Sequence, residues 1–247
     1  MRQLNAKMIK GMKALSFVLT SIMACHAHAD IVISGTRIIY PEKAKDVVVN
    51  LENRGAHPLL VQSWLDDGRD TTDPQELKLP FVITPPVTRV DAQKGQAIRI
   101  TSLGQSLPKD RESLFWFNVL EVPPKAKTSS DQNMLQLAFR TRIKLFFRPN
   151  GLKGSPDESA KQLTWSQKKE ANDVVLVAKN DSAYNVSIAS ASLTVNGKKY
   201  EVESSSVKPF SSETMKVKGL TGISNGKVNY ASINDFGGMQ EHEATLN

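Results

Sequence analysis

Asn133-Met134-Leu135-Gln136-Leu137-Ala138-Phe139-Arg140-Thr141-Arg142-Ile143-Lys144-Leu145-Phe146-Phe147-Arg148 alternates apolar and polar residues with almost no break. Leu135, Leu137, Phe139, Ile143, Leu145 and Phe147 form one row, interrupted only by Thr141. Arg140, Arg142, Lys144, Phe146 and Arg148 form the other. Successive side chains of a strand point to opposite faces, so this period predicts one long β-strand. At about 3.3 Å per residue it extends roughly 50 Å, whereas strands usually have about 5–6 residues. A sandwich of ordinary size cannot cover so long an apolar row. The Ile143-to-Phe147 end is expected to fill the protein's own core, with Leu135, Leu137 and Phe139 along an exposed edge. Two readings stay open. The strand is bent and buried throughout by its own domain, or its edge pairs with a partner chain, backbone hydrogen bonds giving affinity and alternate side chains specificity.

The rest of the chain after Asp30 has the same strand-like character. Val47, Val49 and Leu51 alternate before a turn at Glu52-Asn53-Arg54-Gly55, and Leu59–Leu65, Phe81–Thr84, Ala97–Leu103 and Leu114–Val122 repeat the theme. Pro85-Pro86 and Pro123-Pro124 lack the N–H that a central ladder needs, so they mark strand ends or edges. Pro149 to Ser159 is dense in Pro, Gly, Ser and charge and reads as an interdomain connection. Strands resume at Val174–Ala178, Val186–Val195, Lys199–Val202, Thr214–Val217 and Lys227–Ile233, with a hairpin signal at Asn196-Gly197. No helical period lasts more than a turn or two. The pattern predicts an all-β protein of two immunoglobulin-like β-sandwich domains, each with about seven strands. The expected division is 1–29 as signal, 30–150 as first domain and 151–247 as second.

The N-terminus carries its own logic. Arg2, Lys7, Lys10 and Lys13 precede an apolar run from Ala14 to Ala24 and then Ala27-His28-Ala29, the three parts of a secretory signal peptide. The run is shorter than the roughly 20 residues of a membrane span. Ile22-Met23-Ala24-Cys25 also resembles a lipoprotein cleavage box, although Met23 fits it poorly. Cleavage after Ala29 leaves 218 residues, enough for two domains. It removes four basic and no acidic residues, so the net charge falls from +7 to +3. With no basic block joined to stacking aromatics, nucleic acid is not an expected partner. Cys25 is the only cysteine, so the mature chain has no disulfide even in an oxidising compartment.

Catalytic chemistry finds little support. Only His57 and His242 follow the cleavage site, no cysteine remains, and no catalytic or phosphate-binding motif appears. Asp66-Asp67 stands beside Gly68 and reads as a pair of solvated turn carboxylates. No metal, no cofactor and no enzymatic activity are expected.

A longer motif is more specific. Leu107-Pro108-Lys109-Asp110-Arg111-Glu112-Ser113-Leu114-Phe115-Trp116-Phe117-Asn118-Val119-Leu120-Glu121-Val122-Pro123-Pro124 resembles the signature of the periplasmic pilus-assembly chaperones of chaperone–usher systems. Ile143-Lys144-Leu145-Phe146-Phe147-Arg148-Pro149 and Ile233-Asn234-Asp235-Phe236-Gly237-Gly238 are similar to two further blocks of that family. The likeness spans the mature chain in order. The short connection from Pro123 to Asn133 is similar to the short-loop branch.

The resemblance implies two sandwiches with a cleft between them and a periplasmic location. Its partners are pilus subunits, whose incomplete immunoglobulin-like folds lack the last strand, and an outer-membrane usher. It implies that Leu135, Leu137 and Phe139 are the donated residues, and that Arg37 and Lys144 hold the subunit's C-terminal carboxylate. Glu112, Arg148 and Asp235 are then a charge network between the domains. Self-association of the free protein through its exposed strand is a further expectation. Rival readings are a chaperone of the same fold for a non-pilus surface polymer and an extracellular adhesive sandwich. N-terminal sequencing of the exported protein is expected to begin at Asp30; a lipid-modified Cys25 in its place would overturn the assignment of the leader.

Overall fold

The computed structural model describes residues 30–124, 137–171 and 173–246. The leader, Cys25 and Leu135 therefore lie outside the described residues. The first nine strands are β1 (Ile31–Ile33), β2 (Arg37–Pro41), β3 (Asp46–Asn53), β4 (Leu59–Asp66), β5 (Phe81–Thr84), β6 (Val87–Val90), β7 (Gly95–Ser102), β8 (Ser113–Val122) and β9 (Phe139–Arg148). They form two sheets, in the orders β1-β3-β7-β5 and β2-β9-β8-β4-β6. After a short helix α1 (Pro156–Lys161) come β10 (Thr164–Glu170), β11 (Asp173–Asn180), β12 (Val186–Val195), β13 (Lys198–Val202), β14 (Ser206–Val207), β15 (Ser211–Lys216), β16 (Lys227–Ile233) and β17 (Met239–Thr245). Their sheets run β10-β11-β15 and β13-β12-β16-β17, with β14 also paired to β12.

Each pair of sheets encloses its own core, and alternation decides what enters it. In β3 the inward positions are Val49 and Leu51, while Val48, Asn50 and Glu52 face out. Tyr40, Val61, Ile98, Ile100, Phe117 and Leu145 complete the centre of the first core. The rings of Tyr40, Phe81, Phe115 and Phe147 pack edge to face and tilted, with Phe81 and Phe115 centroids 5.1 Å apart. The Tyr40 hydroxyl donates to Lys45 O and accepts from Ser102 N, both at 2.9 Å, so its polar end is satisfied. The second core gathers Trp165, Leu176, Leu193, Met215, Val228 and Tyr230.

Among the described residues the strands number nine and eight rather than about seven each, for identifiable reasons. Pro85-Pro86 separates β5 from β6, as the missing donors require. Ser34-Gly35-Thr36 carries the chain from one sheet to the other, with Gly35 at φ +106°, so one N-terminal strand becomes β1 in the first sheet and β2 in the second. The Asn196-Gly197 hairpin forms as expected, both residues having positive φ between register partners Val195 and Lys198. The segment read as connection closes with α1, where Ser155 caps Glu158 N, Pro156 opens the first turn and Tyr230 Oη donates to Ala160 O at 2.7 Å. The long alternating run also needs correction: β9 begins at Phe139, and Leu137 and Ala138 lie outside any strand.

Leu145 is fully buried, whereas Leu137 is 55% exposed. Leu145→Ala is expected to lower unfolding stability by about 2–5 kcal/mol, and Leu137→Ala to change it by no more than about 0.5 kcal/mol. Chemical denaturation of the two purified variants checks the difference.

Candidate functional site

The parallel partner of β9 is only half its length. β2 pairs Arg37 through Pro41 with Lys144 through Arg148. On its other side β9 pairs antiparallel with β8 along nearly its whole length, from Phe139 opposite Glu121 to Phe147 opposite Ser113. Among the described residues no strand covers Phe139–Ile143 on the side that β2 leaves vacant. Burial follows the same boundary. Leu145 and Phe147 are buried, Ile143 and Thr141 half-buried, and Phe139 is 49% exposed.

Arg37 and Lys144 stand opposite each other in the β2–β9 register, at the place where that pairing begins. Both cations come from the first sandwich and both reach acceptors on the second. Arg37 Nη1 donates to Ile233 O at 2.7 Å, and its guanidinium lies 5.8 Å from the Phe146 ring centre. Its Nε is buried without a hydrogen-bond partner among the described residues. Lys144 Nζ donates to Ser187 Oγ at 2.9 Å and also to Ser206 Oγ. These serines are register partners on β12 and β14. Burial, and next the Arg37 charge, push the Lys144 ammonium down to about 8 from its ordinary 10.5. Burial also lowers the Arg37 pKa, partly offset by Asp235 and Glu112.

Those two carboxylates belong to Arg148. Arg148 Nε donates to Glu112 Oε1 at 2.7 Å, while Nη1 and Nη2 grip Asp235 at 2.6 and 2.9 Å. Burial opposes the Arg148 charge, but the hydrogen bonds and charges of Asp235 and Glu112 outweigh it and hold the pKa above the usual arginine range. Glu112 is buried and its other oxygen accepts from Asn185 N at 2.8 Å. The Glu112 backbone N–H also reaches Ala183 O at 2.9 Å. The turn bearing Asp235 presses on the first sandwich. Gly237 has φ +84°, and a Cβ there would lie 2.5 Å from Thr36 Oγ1, so only glycine fits.

Sequence reasoning missed one group. Asp66 is not a solvated turn carboxylate but fully buried at the end of β4. Arg142 Nε donates to its Oδ2 at 3.0 Å, and Asn118 Nδ2 donates to the same oxygen at 2.8 Å. Asp67 is the exposed member, paired to Arg69 at 2.7 Å. The signal was the even row of β9, where Arg140 and Arg142 needed counter-charges on the same face. No group of three or more His, Cys, Asp or Glu side chains is placed to hold a metal ion among the described residues.

Two sandwiches, an uncovered strand edge and a cation pair at its end define a two-domain β-sandwich binding protein. The comparisons give its family. Residues 30–153 match the pili and flagellar-assembly chaperone PapD N-terminal domain, and residues 158–244 match the pili assembly chaperone PapD C-terminal domain. The chain belongs to this family and is a fimbrial chaperone. It is 51% identical over 241 residues to the probable fimbrial chaperone YadV of Escherichia coli K12, covering 96% of this chain and 98% of that one. The crystal structure of the YadV chaperone superposes with a TM-score of 0.78 at 50% identity, covering 88% of this chain and all of that one. The SafB chaperone of Salmonella enterica, solved in complex with the SafA pilin, is 29% identical with a TM-score of 0.73, covering 90% and 99% of the two chains.

The depressed Lys144 pKa has a direct consequence for stability. Between about 8 and 10.5 the unfolded chain holds this proton more tightly than the folded one, so rising pH stabilises the fold through this group. Below about 8 the buried charge is a standing cost. Lys144→Met is therefore expected to raise the melting temperature at about pH 7, by a margin that shrinks toward about pH 10. Calorimetry across that range checks it; a margin that does not change with pH would contradict the assignment.

Proposed function

We propose that the protein is a periplasmic chaperone that captures pilus subunits by pairing the open half of β9 with them while Arg37 and Lys144 hold the subunit's C-terminal carboxylate. The observation carrying this is the position of the cation pair, at the register step where β2 stops covering β9. A client strand that ends at Arg37 and Lys144 extends only along Phe139–Ile143, because β2 occupies the other direction. Its C-terminus then lies toward Lys144, so it runs parallel to β9 and continues the pairing of β2.

The chemistry of the pair supports this role. The unpartnered Arg37 Nε is one prong of a guanidinium fork, the geometry that matches a carboxylate, and Lys144 adds a point charge. Two neighbouring cations repel until an anion arrives, so a carboxylate relieves strain that the free protein carries. Leu137 and Phe139, with Leu135 before them, fill the groove that the missing strand leaves in the client. The pairing covers the client's apolar core and its open edge together, which blocks premature polymerisation. The Salmonella pilin–chaperone complex supports subunit capture by this fold.

The remaining assignments follow from the same mechanism. Residues 1–29 direct export, 30–150 form the capturing domain, and 151–247 form the domain that holds the cations in place. Glu112, Arg148 and Asp235 fix the angle between the two. The protein works without catalysis or cofactor, hands its client to an outer-membrane usher, and in free form self-associates through the same edge. Arg37→Ala or Lys144→Ala is expected to weaken capture by about 2–5 kcal/mol, because the carboxylate is left under-compensated in a partly desolvated cleft. Leu137→Ala and Phe139→Ala are expected to weaken capture while leaving the melting curve of the free protein in place. Mass spectrometry of periplasmic co-purified material, beside circular dichroism of each variant, reads both effects. Normal capture by both cleft variants would overturn the anchor.

A further inference from the structure

The outer face of the sheet that carries β9 holds a polar cluster the cleft does not use. Arg140 and Arg142 lie on the open-edge half of β9, Asn118 on β8 and Asp66 at the end of β4, so three neighbouring strands contribute. Asn118 faces Arg142 on one side and Trp64 on the other, and Arg140 faces Leu120. Arg142 donates to both Asp66 oxygens, Nε to Oδ2 at 3.0 Å and Nη2 to Oδ1. Gly68 N donates to Oδ1 at 2.7 Å and Asn118 Nδ2 to Oδ2 at 2.8 Å. The Asn118 carbonyl oxygen accepts from Arg140 Nε and Nη2 at 2.9 and 2.7 Å. Arg140 Nη1 continues to Asp70 O at 3.0 Å. The guanidinium of Arg142 lies 4.2 Å from the Trp116 ring centre and that of Arg140 5.1 Å from Trp64.

The open half of β9 has one strand neighbour among the described residues, so it is the part of the strand most prone to fray. Slippage by one residue exchanges the two faces, placing Ala138 and Arg140 where Leu137 and Phe139 belong. The apolar row opposes such a slip most firmly where Leu145 and Phe147 are buried, and less along the open half, where Phe139 is exposed and Thr141 and Ile143 are only half-buried. A buried ion pair contributes little net stability compared with apolar packing, and its best-attested use is to fix register. Here the pair reaches past β8 to a strand two positions away.

We propose that Asp66 is a positioning residue for client capture: by gripping Arg142, and Arg140 through Asn118, it locks the register of Phe139–Ile143 so that the edge is formed before a client arrives. This rests on the strand-pairing mechanism above. A preformed edge spares binding the cost of ordering β9.

Hydrogen exchange of the free protein tests the lock without a client. In Asp66→Asn, the amides of residues 139–143 that bond to β8 are expected to exchange about tenfold faster, the scale of one lost charge-assisted hydrogen bond. Residues 144–148 and the second sandwich are expected to be unchanged. The binding probe is a synthetic peptide of about ten alternating apolar and polar residues, with a free C-terminal carboxylate. Its association with Asp66→Asn is expected to slow by a similar factor. Uniform acceleration across both sandwiches overturns the proposal, because it marks a general stability role. Unchanged exchange and binding in Asp66→Asn, with normal wild-type binding, overturns the positioning role alone. Failure of wild type to bind the free-acid peptide in preference to its amide overturns the strand-pairing mechanism and the proposal with it. Should Asp66→Asn not fold, Arg140→Met, which keeps the aliphatic cover on Trp64, is read against the same outcomes.

Discussion

The parallel pairing of β2 with β9 covers five residues of a ten-residue strand, and the exposed edge and the cation pair are arranged around that shortfall. Its cause is the crossing at Ser34-Gly35-Thr36, which sends the preceding residues to the other sheet as β1. One strand divided between two sheets cannot cover β9 completely. The covered half of β9 is core, with Leu145 and Phe147 packed among Tyr40, Phe81 and Phe115. The other half keeps β8 as its only strand neighbour among the described residues. A rigid, buried segment thus continues directly into an exposed edge, and the rigidity of the first limits the ordering cost of the second.

The second sandwich matters to this edge through the cations at its end. Ile233 O holds Arg37, and the facing serines Ser187 and Ser206 hold Lys144, so neither side chain is placed by its own domain alone. Movement between the sandwiches would separate the acceptors from the cations. Arg148 opposes such movement by spanning from Glu112 to Asp235, with Asn185 completing the shell of Glu112. Exposed ion pairs contribute about 0–1 kcal/mol, but removing one partner from a buried pair costs about 3–5 kcal/mol. Glu112 is buried, so the network resists loss of any member even where its net contribution to folding is small.

The cations of the cleft are not equally compensated. Arg148 has two carboxylates, while Lys144 has two hydroxyls and a neighbouring arginine. A cation so placed is a cost to the folded chain. The same contrast appears in the apolar residues, where Phe139 and Leu137 remain exposed on a protein with two well-filled cores.

The period-2 rows, the paired prolines and Asn196-Gly197 were enough to set the all-β class and most strand positions, because alternation and missing donors act locally. β10 and β17 were not legible: Gln167-Lys168-Lys169-Glu170 and Met239-Gln240-Glu241-His242 are polar and are held as strands by pairing with β11 and β16. Arg37, Lys144, Glu112, Arg148 and Asp235 came from motif resemblance, since no spacing in the chain places Arg148 beside a residue 87 positions away. Asp66 was misjudged because a carboxylate before Asp-Gly looks solvated until Arg142, 76 residues later, folds over it. The sequence by itself determined which residues alternate and therefore which face each presents. Only the tertiary structure decided how far β2 covers β9, and with it which apolar residues are core and which are edge, because coverage depends on strands brought together from distant parts of the chain.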